Sequence, residues 1–250
     1  MYNPFSLSGK RILVTGASSG IGRAIAIECS RMGAQIILTA RNTERLDETL
    51  GMMDASQIHQ VIPADLSSEE GLRLLEESVS EPLDGVVNCA GMAIPKPFRF
   101  ISDTDVEMIM GINFKAPAIL LQQLFKRKRI NKGASLVFIS SIAGVWISFI
   151  GESLYSASKG AVNGLVKSMA IELAGKGIRV NCVNPGMIDT QFLKSGSITE
   201  EQLQEDAKRY PLGRYGKPEE VAYAVVYLLS DASTWMTGSN LLIDGGYTLL

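Results

Sequence analysis

The sequence predicts an α/β fold: one domain with a seven-stranded, doubly wound parallel sheet and helices on both faces. Short runs rich in Val, Ile and Leu alternate with helical stretches along the chain, which is the pattern of successive strand–helix–strand units. Several of these runs are continuously apolar, as is typical of strands covered on both faces. No internal repeat, low-complexity segment or change of composition marks a linker, so residues 1–250 are expected to fold as a single domain.

Seven strands and six helices are predicted in alternation. The strands are expected at residues 11–15, 35–39, 57–63, 85–88, 135–140, 179–184 and 240–244. The helices are expected at residues 21–32, 44–53, 69–78, 103–129, 157–174 and 218–230. Because ligands of such sheets bind at the carboxyl ends of the strands, the residues that follow each strand are the first candidates for functional roles.

Composition and charge exclude several classes of protein. Hydrophobic residues make up 46% of the chain and charged residues 20%, as in soluble globular proteins. The net charge of −2 argues against a general nucleic-acid-binding surface, which usually needs a strongly basic domain. Cys29, Cys89, Cys182 and the single His59 form no CxxC pair or Cys/His cluster. We therefore expect reduced thiols, no metal site and a cytoplasmic location.

One uncharged stretch is close to the length of a membrane span. Residues 133–151 carry no charged side chain, and about 20 apolar residues are enough to cross a bilayer. Four serines and three glycines within the stretch fit a strand followed by an apolar loop better. The N-terminus shows no basic segment followed by an apolar run, so neither a signal peptide nor membrane association is expected.

A glycine-rich turn joins the first strand to the first helix. Residues 15–22 read Thr-Gly-Ala-Ser-Ser-Gly-Ile-Gly. Glycine permits the positive φ of a tight turn and the close approach of a pyrophosphate, and the helix N-terminus that follows attracts phosphate. The alternative is an ordinary turn, because a glycine motif alone is a weak signal. The candidate phosphate-binding residues are Gly16, Ser18, Ser19, Gly20, Ile21 and Gly22.

The end of the second strand predicts which dinucleotide is bound. Ala40 stands where an acidic residue would hold the ribose 2′-hydroxyl of NAD, and Arg41 and Asn42 follow it. A guanidinium offers a planar fork to phosphate oxygens, so this strand end favours NADP(H) over NAD(H). A solvated arginine at the start of a polar helix is the alternative.

Tyr155 and Lys159 are four residues apart, which places them on one face of a helix. A tyrosine pKa of about 10 must fall before the phenol is a useful acid near neutral pH, and a nearby ammonium lowers it. Taken alone, such a pair is usually a pair of surface residues without a catalytic role. Ser141, just past the fifth strand, could hold a carbonyl oxygen beside the phenol; Ser140 is the neighbouring candidate.

The motifs at the strand ends together resemble the classical short-chain dehydrogenase/reductase family over nearly the whole chain. They are the glycine turn at residues 15–22, Asn88-Cys89-Ala90-Gly91, Asn113, Ser141 with Gly144, Tyr155 with Lys159, and Asn184-Pro185-Gly186. The family's Ser-x-x-Gly spacing selects Ser141 over Ser140. The resemblance implies a Rossmann-like NAD(P)-binding fold and hydride transfer between a nicotinamide and a carbonyl carbon.

The resemblance also implies roles for individual residues. Tyr155 is expected to donate the proton, Ser141 to orient the oxygen, Lys159 to stabilise the phenolate and hold the nicotinamide ribose, and Asn113 to hold a water that relays protons. Further cofactor contacts are expected from Asp65, Leu66, Asn88, Ala90, Gly91, Pro185, Gly186, Ile188 and Thr190. Cys89 replaces a family asparagine and is expected to be a small buried residue.

The substrate is less well defined. Residues 191–214 resemble the family's mobile lid, and residues 145–150, with Ile94, Pro95 and Phe98, are unusually apolar for loops. Such apolar loops favour a substrate with an apolar portion. Packing of the same loops against the lid or another subunit is an equal alternative. We expect an NADPH-dependent carbonyl reductase, with a 3-oxoacyl thioester as the best guess. The alternatives are an alcohol, sugar or steroid dehydrogenase and a non-catalytic cofactor-sensing protein.

A basic run raises the question of a protein partner. Residues 126–129 read Lys-Arg-Lys-Arg, and Lys132 follows; cations at a helix C-terminus suit the helix dipole. The resemblance suggests a second role, docking of an acidic acyl carrier protein with Lys132 and Lys176. It also implies a homotetramer built through the helices at 103–129 and 157–174 and the C-terminal strand.

Overall fold

The computed structural model describes residues 2–190 and 199–250 and places a parallel sheet between two layers of helices. The strands are β1 (Arg11–Thr15), β2 (Gln35–Ala40), β3 (Gln60–Pro63), β4 (Leu83–Asn88), β5 (Ile130–Ile139), β6 (Arg179–Pro185) and β7 (Asn240–Ile243). The helices are α1 (Gly20–Arg31), α2 (Thr43–Gly51), α3 (Glu69–Ser78), α4 (Asp103–Met110), α5 (Ala116–Lys126), α6 (Ser153–Leu173), α7 (Glu200–Ala207) and α8 (Pro218–Leu229).

The sheet has the strand order β3-β2-β1-β4-β5-β6-β7, and every neighbouring pair is parallel. The chain therefore winds outward from β1 in one direction and, after crossing back to β4, in the other. The carboxyl ends of β1 and β4 form the switch point where ligands of such sheets bind. The predicted seven-stranded, doubly wound fold is confirmed.

Alternate residues of the strands enter two separate cores. Ile12 and Val14 contribute to a core with α1, α2 and α8, whereas Leu13 contributes to a core with α3, α5 and α6. All three side chains are fully buried. Burial on both faces explains why the strands read as continuous apolar runs.

The predicted helix at 103–129 is interrupted and ends early. A π-helical turn, Gly111–Lys115, separates α4 from α5. The helix ends at Lys126 because Lys128 adopts a left-handed φ of 57°. The amides of Lys128 and Arg129 then donate to the carbonyls of Phe125 at 3.0 Å and Leu124 at 2.8 Å, which is the Schellman arrangement of a helix C-terminus.

Three other predicted boundaries differ by three residues or more. Strand β5 begins at Ile130, which pairs with Leu83 ahead of a shift in register. Strand β3 covers only the last four residues of the predicted 57–63. Helix α6 begins at Ser153 instead of residue 157, so Tyr155 lies in its first turn.

The predicted lid at 191–214 is described only in part, because residues 191–198 lie outside the described residues. Its described part contains α7, and the Thr199 hydroxyl accepts from the Gln202 amide at 3.3 Å. The lid role and the homotetramer stay predictions. Among the described residues, no helix has both the length and the apolar character needed to cross a membrane.

Candidate active site

The sheet brings the predicted functional residues to one edge, at the carboxyl ends of its strands. Helix α6 packs against β6 and presents Tyr155 and Lys159 one turn apart. The Lys159 Nζ atom lies 5.6 Å from the centre of the Tyr155 ring and donates to the Ile139 carbonyl at 2.9 Å. Lys159 is buried and Tyr155 is half-buried. Because one carbonyl occupies a single N–H, the ammonium retains two donors for a ligand.

Ser141 follows β5 and is half-buried. Its Oγ accepts from the Ala143 amide at 3.1 Å, so the hydroxyl proton is free to point at a ligand oxygen. The Ser141 carbonyl accepts from Asn184 Nδ2 at 2.9 Å. This bond fixes the start of the loop against β6.

A buried polar network lies beneath these side chains. Asn163 Nδ2 donates at 2.7 Å both to Ser140 Oγ and to the Lys159 carbonyl, and Asn163 Oδ1 accepts from Asn184 Nδ2 at 3.2 Å. Ser140 Oγ also donates to the Lys159 carbonyl at 3.1 Å. Ser140 therefore fixes the end of β5 to α6 through hydrogen bonds to Asn163 and to the Lys159 carbonyl. We call Ser140, Asn163 and Asn184 the polar floor.

Asn113 lies in the π-helical turn, a feature often found at functional sites. Its Oδ1 accepts from the Met92 amide at 2.8 Å, and its Nδ2 donates at 2.9 Å to the Met92 carbonyl and to Ser158 Oγ. A Cβ added to Gly91 would lie 3.1 Å from Asn113 Oδ1 and 3.6 Å from Lys159 Nζ, so Gly91 adjoins both. Both N–H donors of Asn113 are occupied, and the predicted water relay stays a prediction.

The glycine turn leaves a helix N-terminus open. Gly16 and Gly20 have φ values of 70° and 52°, and a Cβ on Gly22 would collide with the Gly16 carbonyl oxygen. Ser19 precedes α1 without a side-chain capping bond, and the first turn holds no acidic residue. The first amides of α1 therefore have no capping side chain, which is the condition for binding an anion. Ser18 and Ile21 flank this turn and are partly exposed.

The residues after β2 and β3 are charged and lie close enough to interact. Arg41 is exposed, whereas Asn42 uses its Oδ1 to accept from the Arg45 amide at 2.8 Å and caps α2. Hydrogen bonds from Ser67, with a smaller contribution from the Arg41 charge, hold the pKa of Asp65 below its usual value. Arg41 and Asp65 follow the neighbouring strands β2 and β3, at the same edge of the sheet as the glycine turn.

Asn88 ends β4 with a buried amide group, and its Oδ1 and Nδ2 have no hydrogen-bond partner in the part of the chain that the structure describes. It lines a small cavity with Thr15, Leu66 and Ala90. Thr15 Oγ1 accepts from the Cys89 and Ala90 amides at 3.0 Å each, which ties β4 to β1. Unpartnered buried amides are uncommon, and this one marks the cavity as a place for a polar ligand group or a water.

The segment after β6 reaches back to the glycine turn. The Pro185 carbonyl accepts from the Ile142 amide at 3.1 Å, which joins this segment to the loop of Ser141. Ile188 is buried, and a Cβ on Gly20 would lie 3.4 Å from the Thr190 methyl. Gly186 follows Pro185 at the end of the sheet and is partly exposed. The structure thus places all the predicted site residues along one continuous edge.

Two apolar loops flank the site. Trp146 and Ile150 are exposed in the loop after β5, and Phe98 is exposed in the loop after β4. The Lys96 amide donates to the Gly151 carbonyl at 2.8 Å and joins the two loops. We call these loops the apolar walls.

The basic run lies at the opposite edge of the sheet, at the amino end of β5. Arg127 pairs with Glu76 and lies 4.0 Å from Glu77, so part of its charge is neutralised. Lys132 and Lys176 are exposed. Carrier docking at this surface stays a prediction.

Sequence reasoning missed Thr15, Ser158 and the amide of Asn184, which hold other site residues in place. Each is a polar residue within or beside an apolar strand or helix, and such residues need partners when buried. A polar residue in an apolar element is therefore expected to form a hydrogen bond, but the sequence does not identify its partner.

An open helix N-terminus and a Tyr–Lys pair, both at the carboxyl edge of a doubly wound parallel sheet, are typical of oxidoreductases that bind a nucleotide. The family model described as Enoyl-(Acyl carrier protein) reductase matches residues 16–248. A rhamnolipids biosynthesis 3-oxoacyl-[acyl-carrier-protein] reductase of Pseudomonas aeruginosa is 35% identical over 258 residues, covering 100% of both chains. A tropinone reductase homolog of Datura stramonium is 37% identical over 253 residues, covering 98% of this chain and 94% of that protein.

A solved structure agrees with these relationships. The Pseudomonas aeruginosa RhlG/NADP active-site complex superposes with a TM-score of 0.91 at 34% sequence identity, covering 99% of this chain and all of that one. The protein belongs to the short-chain dehydrogenase/reductase family of oxidoreductases.

Proposed function

We propose that the protein is an NADPH-dependent carbonyl reductase whose substrate is a 3-oxoacyl thioester. The observation that carries the proposal is the buried Lys159 ammonium, 5.6 Å from the centre of the Tyr155 ring. A cation at this distance stabilises negative charge on the phenol oxygen, as a tyrosine that gives up its proton requires. Ser141 follows the neighbouring strand with its own hydroxyl proton free.

The residues present fit a dinucleotide. The open amides of α1 and the glycine turn would hold the pyrophosphate, and Arg41 would pair with a 2′-phosphate. The unpartnered Asn88 amide and the two remaining N–H donors of Lys159 supply polar contacts for ribose or base. When bound, NADPH supplies the hydride. Ala40 and Arg41, with no acidic residue at the end of β2, support NADPH over NADH.

The chain's own residues supply the proton and stabilise the developing charge. Tyr155 gives its proton to the carbonyl oxygen as that oxygen becomes an alkoxide, and the Ser141 hydroxyl donates to the same atom. Positioned acids contribute about 10²–10⁴-fold to rate, and one fixed donor to an oxyanion about 10²–10³-fold. The Lys159 ammonium stabilises the phenolate that remains.

The apolar walls support a substrate with an apolar chain. Trp146, Ile150 and Phe98 present exposed apolar surface beside the site, and such surface favours an acyl chain over a sugar. The 35% identical relative from Pseudomonas aeruginosa is named as a 3-oxoacyl reductase, which supports the same choice.

The test follows absorbance at the nicotinamide band with NADPH or NADH and an acetoacetyl thioester. We expect NADPH to be consumed and NADH hardly at all, and Tyr155→Phe to lose at least about 10²-fold in kcat. Tyr223→Phe, an exposed tyrosine on α8, is the matched control and should match the wild type. Equal use of NADH would overturn the cofactor assignment. Tight NADPH binding without turnover would overturn the assignment of the thioester as the substrate.

The carrier form of the substrate is tested separately. We propose that an acyl carrier protein docks at Lys132 and Lys176. Lys132 lies in β5, on the order of 20 Å from Ser141 along the strand. The double variant Lys132→Glu/Lys176→Glu should then slow reduction of the carrier-linked thioester and spare the free thioester. Equal loss on both substrates would contradict this docking.

A further inference from the structure

Three aromatic rings meet near the C-terminus. Tyr247 packs against Tyr210, with ring centroids 4.6 Å apart, and against Phe149, with centroids 6.2 Å apart. The Arg209 guanidinium lies 5.4 Å from the centre of the Tyr247 ring. We call Phe149, Tyr210 and Tyr247 the C-terminal aromatic cluster.

Each ring of the cluster belongs to a different segment at the carboxyl edge of the sheet. Phe149 lies in the apolar wall that begins at Ser141, Tyr210 lies between α7 and α8, and Tyr247 follows β7. The Tyr210 hydroxyl accepts from the Met187 amide at 3.3 Å, in the segment after β6. Tyr247 therefore connects one apolar wall to the segments that complete the site.

The chain end is fixed so that Tyr247 holds this place. The Asp244 carboxylate accepts from the Gly246 amide at 3.0 Å and from the amide and hydroxyl of Thr248 at 2.8 Å each. The Leu212 amide donates to the Gly245 carbonyl at 3.3 Å. These bonds anchor the turn on both sides of the ring.

We infer that Tyr247 is a positioning residue for the substrate side of the site. Its ring contacts are to Phe149 and Tyr210 and to the Arg209 guanidinium. Through these contacts the Tyr247 ring fixes the position of the apolar wall that carries Trp146 and Ile150 relative to residues 208–214. The hydroxyl of Tyr247 has no part in these ring contacts, so the Tyr247→Phe variant should keep the positioning role.

The first test needs no substrate. The chain has two tryptophans, and Trp235 is fully exposed, so Trp235→Phe leaves Trp146 as a reporter three residues from Phe149. In that background we expect Tyr247→Ala to increase acrylamide quenching of Trp146, and Tyr247→Phe to leave it unchanged. Unchanged quenching in a folded Tyr247→Ala protein would overturn the inference.

The second test rests on the proposed function. Tyr247→Ala should raise KM for the acetoacetyl thioester about tenfold, because small misplacements of a substrate are costly. The Kd of NADPH, measured by fluorescence, should stay at its wild-type value. Tyr247→Phe should restore KM, and Tyr223→Ala is the matched control. A parallel rise in the Kd of NADPH would show general disruption and overturn the inference.

A further variant covers the case in which Tyr247→Ala does not fold. Phe149→Leu removes the same ring contact from the other side and should raise both Trp146 quenching and the KM, whereas wild-type values would overturn the inference. If no variant and no wild-type protein reduces the thioester, the proposed function fails, and the Trp146 quenching still decides the inference.

Discussion

Replacing Asn113 with alanine removes the three hydrogen bonds that join the π-helical turn to Met92 and to Ser158. A hydrogen bond contributes about 0.5–1.5 kcal/mol net to stability. The backbone of Met92 can bond to water, because Met92 is 36% exposed. Ser158 Oγ retains its own donation to the Tyr155 carbonyl at 2.7 Å. We therefore expect a loss near the lower end of the three-bond total, about 2 kcal/mol.

The free energy of unfolding in urea, followed by far-UV circular dichroism, measures this loss directly. For a chain of this length, 2 kcal/mol corresponds to a fall in Tm of about 4–8 °C. Asn131→Ala is the matched control, since it removes one hydrogen bond to Asp84 at the opposite edge of the sheet. It should cost about 1 kcal/mol and leave turnover unchanged.

Two results would refute this reasoning. An Asn113→Ala protein within about 0.5 kcal/mol of the wild type would mean that the three bonds are not held in solution. A large loss of turnover without any loss of stability would mean that the amide acts on a ligand or a water, as the sequence predicted, and not as a clamp on Met92.

Three further predictions concern other parts of the molecule. Lys128→Gly should stabilise the protein by about 0.5–1 kcal/mol, because only glycine adopts this left-handed φ without cost; a lower urea midpoint than that of Lys128→Ala would contradict this. Hydrogen bonds from Lys96 and Ser102 lower the pKa of Asp105 from 3.8 to about 2. Their stabilising effect is therefore complete above about pH 4 and lost as the pH falls towards 2, so urea titrations should show a shallower fall for Asp105→Asn, and equal slopes would argue against it. Burial raises the pKa of Cys89 and Cys182 to about 12 and also raises the pKa of Cys29. Cys29 and Cys182 are buried, whereas Cys89 is only half-buried. DTNB at pH 8 should thus label Cys29 and Cys182 only after unfolding, and rapid labelling of either thiol in a native Cys89→Ala protein would disprove its burial.

The parts of the fold that depend on short-range pattern could be predicted. The turn at residues 15–22 and the helix after it follow from glycine spacing, and the doubly wound parallel sheet follows from the alternation of strands and helices. Tyr155 and Lys159 could be paired because four residues make one helical turn. These features need only neighbours in the sequence.

The parts of the structure that depend on residues distant in the sequence could not be predicted. The π-helical turn coincides with the bonds between Asn113 and Met92, which are 21 residues apart, and nothing in the sequence pairs them. The early start of β5 depends on Lys128 accepting a conformation that its residue type disfavours. The C-terminal aromatic cluster joins Phe149 to Tyr247 across much of the chain, and each aromatic residue alone has many possible partners.

The polar floor and the apolar walls differ in how much change they tolerate. Ser140, Asn163 and Asn184 are buried and bonded to one another and to the backbone of Lys159 and Ser141, so a substitution there disturbs the placement of Lys159 and Ser141. The exposed wall residues Phe98, Trp146 and Ile150 take no part in those bonds. Under the proposed function, substrate preference can therefore change through the walls, one side chain at a time, while the polar floor stays the same.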